Sequence, residues 1–303
     1  MGKNSVVFML MVLITMGCTT ETNTRVTSEN VENNEIQHKE QQSSDKKEAD
    51  KEMPKTEKIE HDRVKQNLEK LALEVNAQVY SDSSQFSEYV SGVKTRLKTE
   101  EKVVALTLDA CGGENGSGYD EELLTFLIEN NIKADLFVNA RWIDLQQETL
   151  VKLAKNPLFT IQNHGTEHKP LSITPRSAWG ISSTSSQEEI VDEIMTNQQK
   201  IYEITGEVPK YFRSGTAFYD DTSVQIAEDL GVQVVNFDII GDGGATFAKE
   251  EVTQEMLKVK PGSIIILHMN QPQSDTAEGV KEAVLALLEQ GFSFVHLNEY
   301  ELE

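Results

Sequence analysis

Apolar positions change rhythm four times along the chain. Val6 to Met16 form one uninterrupted apolar run behind Lys3. From Thr19 to about Glu60 the composition is Glu, Lys, Asn, Gln, Ser and Thr, with scarcely an apolar residue. Such a stretch cannot offset its ordering entropy by burial, which predicts a disordered tether over 19–61. Val64, Leu68, Leu71 and Val75 then recur at i, i+4, i+7 and i+11, the spacing of an amphipathic helix. Phe86, Tyr89, Val90, Val93 and Leu97 suggest a second short helix, making 62–100 a helical linker able to pack on the domain after it. From 101 to 303 short, near-continuous apolar runs alternate with helical periodicity. Strands are predicted at 103–108, 134–138, 159–162, 211–213, 232–237, 263–267 and 292–295, and helices near 119–131, 146–155, 187–205, 221–230, 250–257 and 277–290. Gly231, Gly262 and Gly291 stand just before the next strand, where helix stops and turns belong. Six or seven such alternations, with strands apolar on both faces, mean an α/β fold around a parallel sheet. Periodicity leaves open whether that sheet closes as a barrel or is doubly wound.

The run from Val6 to Met16 has signal-peptide length and is short for a bilayer span. Gly17-Cys18 falls where a lipoprotein signal (1–18) would be cut, with Cys18 as lipid acceptor. Thr15 departs from the aliphatic residue usual three before such a cysteine, and an uncleaved N-terminal anchor is the alternative. Either form predicts export and a membrane-anchored protein facing the cell exterior or periplasm. With Cys18 lipidated, Cys111 has no partner, so the fold must stand without disulfides. Residues 101–303 are enough for one substantial domain core. A net charge of −22 argues against nucleic acid as a partner, and against electrostatic docking on anionic lipid. It is first of all a solubility feature.

In parallel α/β architectures function gathers where strands end. Asp109 ends the first strand, His164 follows the third, Arg213 ends the fourth, Asp238 and Asp242 follow the fifth, and His268 ends the sixth. Singly these have ordinary explanations: a strand-end Asp is commonly a helix N-cap, and His-x-x-x-His pairs arise by chance. Together they supply a carboxylate and two imidazoles, the minimum for a metal-activated water. Glu167 lies beside the second histidine of His164–His168, so this is not the zincin motif. Gly112, Gly113, Gly116 and Gly118 do not fit a dinucleotide-binding loop, and no G-x-S-x-G elbow is present.

The order Thr107-Leu108-Asp109, His164 to His168 with Pro170-Leu171-Ser172, Phe212-Arg213-Ser214-Gly215 and Leu267-His268 resembles the polysaccharide deacetylase family, carbohydrate esterase family 4. The resemblance covers roughly 101–300. It implies a deformed (β/α) barrel that removes acetyl groups from N-acetylated sugars with a divalent metal, usually zinc. Carried over by motif, Asp109 is the general base and His164 and His168 are metal ligands. Arg213 pairs with the base, His268 is the general acid, and Asp242 orients that histidine. The implied partner is an N-acetylated polysaccharide, whether peptidoglycan, poly-N-acetylglucosamine, chitin or a capsule glycan. Trp179 and Tyr219 are candidate sugar-stacking residues, with loop 172–187 facing substrate.

The motifs also depart from the family pattern. Ala110 stands where the family has a second aspartate, the third metal ligand, and Gly165 stands where it prefers Ser or Thr. Gly243 replaces an expected tryptophan. Catalytic zinc normally has three protein ligands, so another oxygen donor is expected, from Asp109, Asp242 or Glu114. Cys111 is first a small buried hydrophobe and second a thiolate donor. The competing expectation is a non-catalytic carbohydrate-binding lipoprotein on the same scaffold.

Overall fold

The fold is organised around β2 (Val103–Ala110), buried along its whole length. A computed structural model describes residues 55–114 and 116–303, of which Lys58–Glu303 form one compact unit. The predicted signal segment and residues 19–54 of the predicted tether lie outside the described residues. β2 pairs in parallel with β3 (Ala134–Val138), β11 (Ser263–His268) and β12 (Ser293–Val295). Strand alternation sorts its side chains. Val104, Leu106, Leu108 and Ala110 enter a core shared with the flanking helices. Val103 and Ala105 join a second cluster with Phe137, Phe237, Ile264 and Ile266 on the opposite face.

The sheet runs β10–β11–β2–β3–β4–β7–β9, all parallel, through β4 (Phe159–Asn163), β7 (Tyr211–Phe212), β9 (Gln233–Val234) and β10 (Ile239–Ile240). Seven strands laid flat would put the outer two about 29 Å apart, at about 4.8 Å per step. The link 235–238 joins those outer strands and reaches at most about 18 Å when extended. The sheet must therefore curl, which gives the expected deformed barrel. Helices α2 (Glu121–Glu129), α3 (Ala140–Ala154), α4 (Gln187–Thr205), α5 (Asp221–Asp229), α6 (Lys249–Met256) and α7 (Thr276–Glu289) follow its strands. Asp120, Asn139, Ser186 and Asp220 cap four of them by accepting backbone N–H groups.

The amphipathic helix before the barrel is α1 (Lys55–Asn76), whose Leu68 and Val75 pack with Ile190, Ile194 and Val224. The second short helix expected over 86–97 does not form. Instead β1 (Phe86–Ser87) pairs antiparallel with β8 (Tyr219–Asp220), and Lys94, Arg96 and Leu97 bridge Val235, Ser263 and Leu302. Gly92 at φ +94° interrupts any helix there, and pairing along the barrel satisfies backbone groups that a single turn would leave exposed. The helix predicted from 146 begins at Ala140, because Asn139 caps it. A small hairpin, β5 (Ser177–Ala178) and β6 (Ile181–Ser182), forms within loop 172–187 and carries Trp179 at its tip.

Candidate active site

Asp109 and His268 are register partners at the carboxyl ends of β2 and β11. Asp109 is only 2% exposed and Arg213, just past β7, is completely buried. Arg213 donates Nη1 to Asp109 Oδ1 at 2.7 Å and to Thr107 Oγ1 at 3.0 Å. Its Nε and Nη2 donate to the Val235 and Asn236 carbonyls. The guanidinium lies over the Phe137 ring at 4.2 Å and the Phe237 ring at 5.6 Å. Burial pushes the Asp109 carboxyl up, but Arg213, His164 and His268 outweigh it and hold the group below the usual carboxylate range. One oxygen is thus fixed by arginine while Oδ2 lies 3.6 Å from His164 Nε2.

Across the same strand ends, Asp242 orients His268. Its Oδ1 accepts from His268 Nδ1 at 2.9 Å, and its Oδ2 accepts from the His268 backbone N–H at 2.7 Å. Thr276 Oγ1 and the Gly244 N–H also donate to Asp242. Burial pulls the His268 pKa down, but Asp242 and then Cys111 reverse this and place it well above ordinary histidine. With Nδ1 occupied, Nε2 remains for the cleft that His268 lines.

His164 is oriented by Nδ1, which meets the Arg213 carbonyl at 3.0 Å and turns Nε2 towards Asp109 and Cys111. The His168 ring stands edge-on to it at 4.9 Å, and His168 Nε2 is buried without a hydrogen-bond partner. The Cys111 sulfur lies 3.6 Å from His164 Nε2. One donor atom from each of Cys111, His164 and His168 falls within 4.8 Å of the others. Burial pushes the Cys111 thiol up, but His168, His164 and His268 around it hold it well below its usual range. The expected oxygen donors fare differently. Asp242 is engaged by His268 and Thr276, and Glu114 is exposed on the loop beyond β2. Cys111, expected first as a hydrophobe, turns its thiol to the histidines instead.

The loop carrying both histidines is pinned by Glu193 of α4, which pattern reasoning missed. Its carboxylate accepts from the backbone N–H groups of Thr166, Glu167 and Lys169. A Glu between Ile190 and Asn197 on the buried face of an amphipathic helix was the available signal. Asn139 Nδ2 donates to the carbonyls of His164 and Gly165, and Asn163 Oδ1 accepts from Gly165 N–H. Gly165 takes φ +79°, and a Cβ there would lie 2.4 Å from Glu193 Oε1, which explains the missing Ser or Thr.

Asp109 and His268 open on a cleft of about 450 Å³ that Trp179, Ala217, Phe247 and Glu88 help to line. Trp179 is 77% exposed at its rim. Tyr219, expected to stack on sugar, is fully buried; it accepts from Ser214 N–H and donates to Asn236 Oδ1. Those two bonds tie it into the wall behind the site, so no sugar reaches it. Asp238, also expected at the active edge, accepts from Arg96 and Ser263 where β11 begins, at the other end of the strands.

The polysaccharide deacetylase family model matches residues 96–235, the span that holds Asp109, His164, His168 and Arg213. Residues 96–235 are a polysaccharide deacetylase domain. Peptidoglycan-N-acetylmuramic acid deacetylase PdaA of Bacillus subtilis (strain 168) is 25% identical over 213 residues, covering 68% of this chain and 73% of that protein. The solved PdaA structure matches with a TM-score of 0.58 at 22% identity, over 72% of this chain and 95% of that one. A carbohydrate esterase family 4 pseudoenzyme of Bacillus anthracis matches with a TM-score of 0.59 at 23% identity, over 70% and 69%. At these identities the structural likenesses speak for the fold.

Proposed function

We propose that this chain is a metal-dependent N-deacetylase of a cell-surface or cell-wall polysaccharide. The observation that carries the reading is a pair of opposed, separately oriented ion pairs, Asp109–Arg213 and His268–Asp242, at one cleft. Sugar binding alone needs neither a carboxylate held ionised nor a histidine held protonated. His164 and His168 fit a divalent cation, since each presents Nε2 and that of His168 is buried without a partner. Zinc suits such imidazole donors. Such an ion supplies a water whose pKa falls from 15.7 to about 7.

The chain's own groups then divide the work of amide hydrolysis. Asp109 Oδ2 takes the proton of the attacking water as its oxygen bonds to the acetyl carbon. His268 Nε2 delivers a proton to the sugar nitrogen as the C–N bond breaks, releasing acetate and the free amine. Trp179 offers a face to a sugar ring at the rim. Peptidoglycan is the first glycan to test, given the substrate in PdaA's name. The predicted lipid on Cys18 would hold the enzyme at a membrane surface, with the tether giving reach into the wall.

Acetate release from peptidoglycan and N-acetylated chito-oligosaccharides tests the reading, with Asp109→Asn expected to lose roughly 10²-fold or more. Ala110, at a position where the family ligates metal, favours the second reading, a non-catalytic binding module. Glycan binding by the wild type with no acetate release on any of these substrates would establish that alternative.

A further inference from the structure

Strand parity brings a third donor to the two histidines. Asp109 and Cys111 are two residues apart at the end of β2, so their side chains leave the same face, whereas Ala110 between them is buried in the core shared with the helices. The Cys111 sulfur consequently stands 3.6 Å from His164 Nε2, within a group of three donors no more than 4.8 Å apart. Its backbone is held in place: Arg141 Nη2 donates to the Cys111 carbonyl at 3.0 Å, and Gly112 and Gly113 at φ +69° and +84° turn the chain away directly after it. The bond at Nδ1 turns His164 Nε2 towards the Cys111 sulfur, and His168 Nε2 is buried and unpartnered. Gly215 packs so closely under the His168 ring that a Cβ would lie 2.3 Å from it, which fixes the ring's place.

We propose that the Cys111 thiolate is the third protein ligand of the metal, so that this chain has a Cys-His-His centre where its relatives use a carboxylate and two histidines. The inference deepens the deacetylase reading and rests on its placing of a metal at His164 and His168. Three protein donors and one open position is the catalytic zinc pattern. A thiolate makes the donor set soft, so zinc and cobalt load in preference to magnesium, calcium or manganese. The departure at Ala110 is then a relocation of the ligand by one residue and not its loss.

Cobalt(II) titrated into the metal-free full-length chain tests this directly, because a cobalt–thiolate bond gives an intense near-ultraviolet charge-transfer band. The band is expected in the wild type, in Asp109→Asn and in Asp242→Asn. It should vanish in Cys111→Ser, with affinity falling by more than the roughly 10–100-fold that loss of an outer-shell partner costs. Cys111→Asp, an oxygen donor of similar reach, is expected to bind cobalt without the band, and circular dichroism checks that each variant folds. Cobalt bound by the wild type without the band, or held equally tightly by folded Cys111→Ser, overturns the proposal. A cobalt–thiolate band in a protein that releases no acetate upholds the centre and overturns the deacetylase reading instead. No metal binding at all overturns both.

Discussion

Replacing Arg213 by methionine tests the electrostatic framework of the site. The side chain of Asp109 is almost completely buried, and its arginine counter-ion is Arg213, 2.7 Å away and itself fully buried. Methionine fills much of the stem volume between Phe137 and Phe237 but leaves a carboxylate in the interior without its cation. Breaking a buried pair from one side costs about 3–5 kcal/mol. For a folded unit of this size that lowers the melting temperature by roughly 10 °C. The cost belongs to the pair if it disappears when the charge does. In an Asp109→Asn background the same Arg213→Met change should cost about 2–3 kcal/mol less. Thermal and urea denaturation of the wild type, both single variants and the double variant give that coupling. Additivity within about 0.5 kcal/mol would refute the argument, because Arg213 would then be supporting the strand-end carbonyls and not the Asp109 carboxylate.

Four further outcomes are expected from the geometry. Gly165→Ser should destabilise the protein by about 1–2 kcal/mol through its φ of +79° alone, with a loss of bound metal; an unchanged melting temperature and metal content would contradict the tight fit against Glu193. Glu193 is pushed up to about 6 by burial, against its ordinary 4.5. Its ionised form is therefore the costlier one in the fold, so wild-type stability relative to Glu193→Gln should fall by about 2 kcal/mol as pH rises from below 4.5 to above 6, as read by urea denaturation across that range. Asp242→Asn removes the charge that orients His268 and should lower kcat by roughly 10²-fold or more, while glycan affinity measured separately stays unchanged. Chelation should abolish acetate release and added zinc should restore it, as followed by acetate assay and metal analysis.

Much of this arrangement was legible because buried parallel strands are continuous apolar runs. Polar residues such as Asp109, His164, Arg213 and His268 stand out where those runs stop. What escaped depends on partners distant in the chain. Tyr219 looks like a sugar platform until Ser214 and Asn236 take its hydroxyl. The segment 86–97 has apolar spacing compatible with a helix, yet it is drawn out by unpaired strands of the barrel and by Gly92. Asp238 has the look of a site carboxylate because only the position of Arg96, 142 residues earlier, decides which end of the sheet it serves. The role of Cys111 turned on the length of one strand: β2 runs to Ala110 and not to 108, and that extension settles which face the next side chain meets.

The site is assembled from β2, β4, β7 and β11, strands that span the chain from Asp109 to His268. Asp109 and His268 stand at opposite ends of that span, and they meet only because β11 pairs directly with β2. Non-local pairing of this kind makes such barrels slow to complete, because loop-closure entropy is spent before the contacts repay it. The juxtaposition of Asp109 with His268 is therefore completed only when β11 docks on β2, late in the sequence.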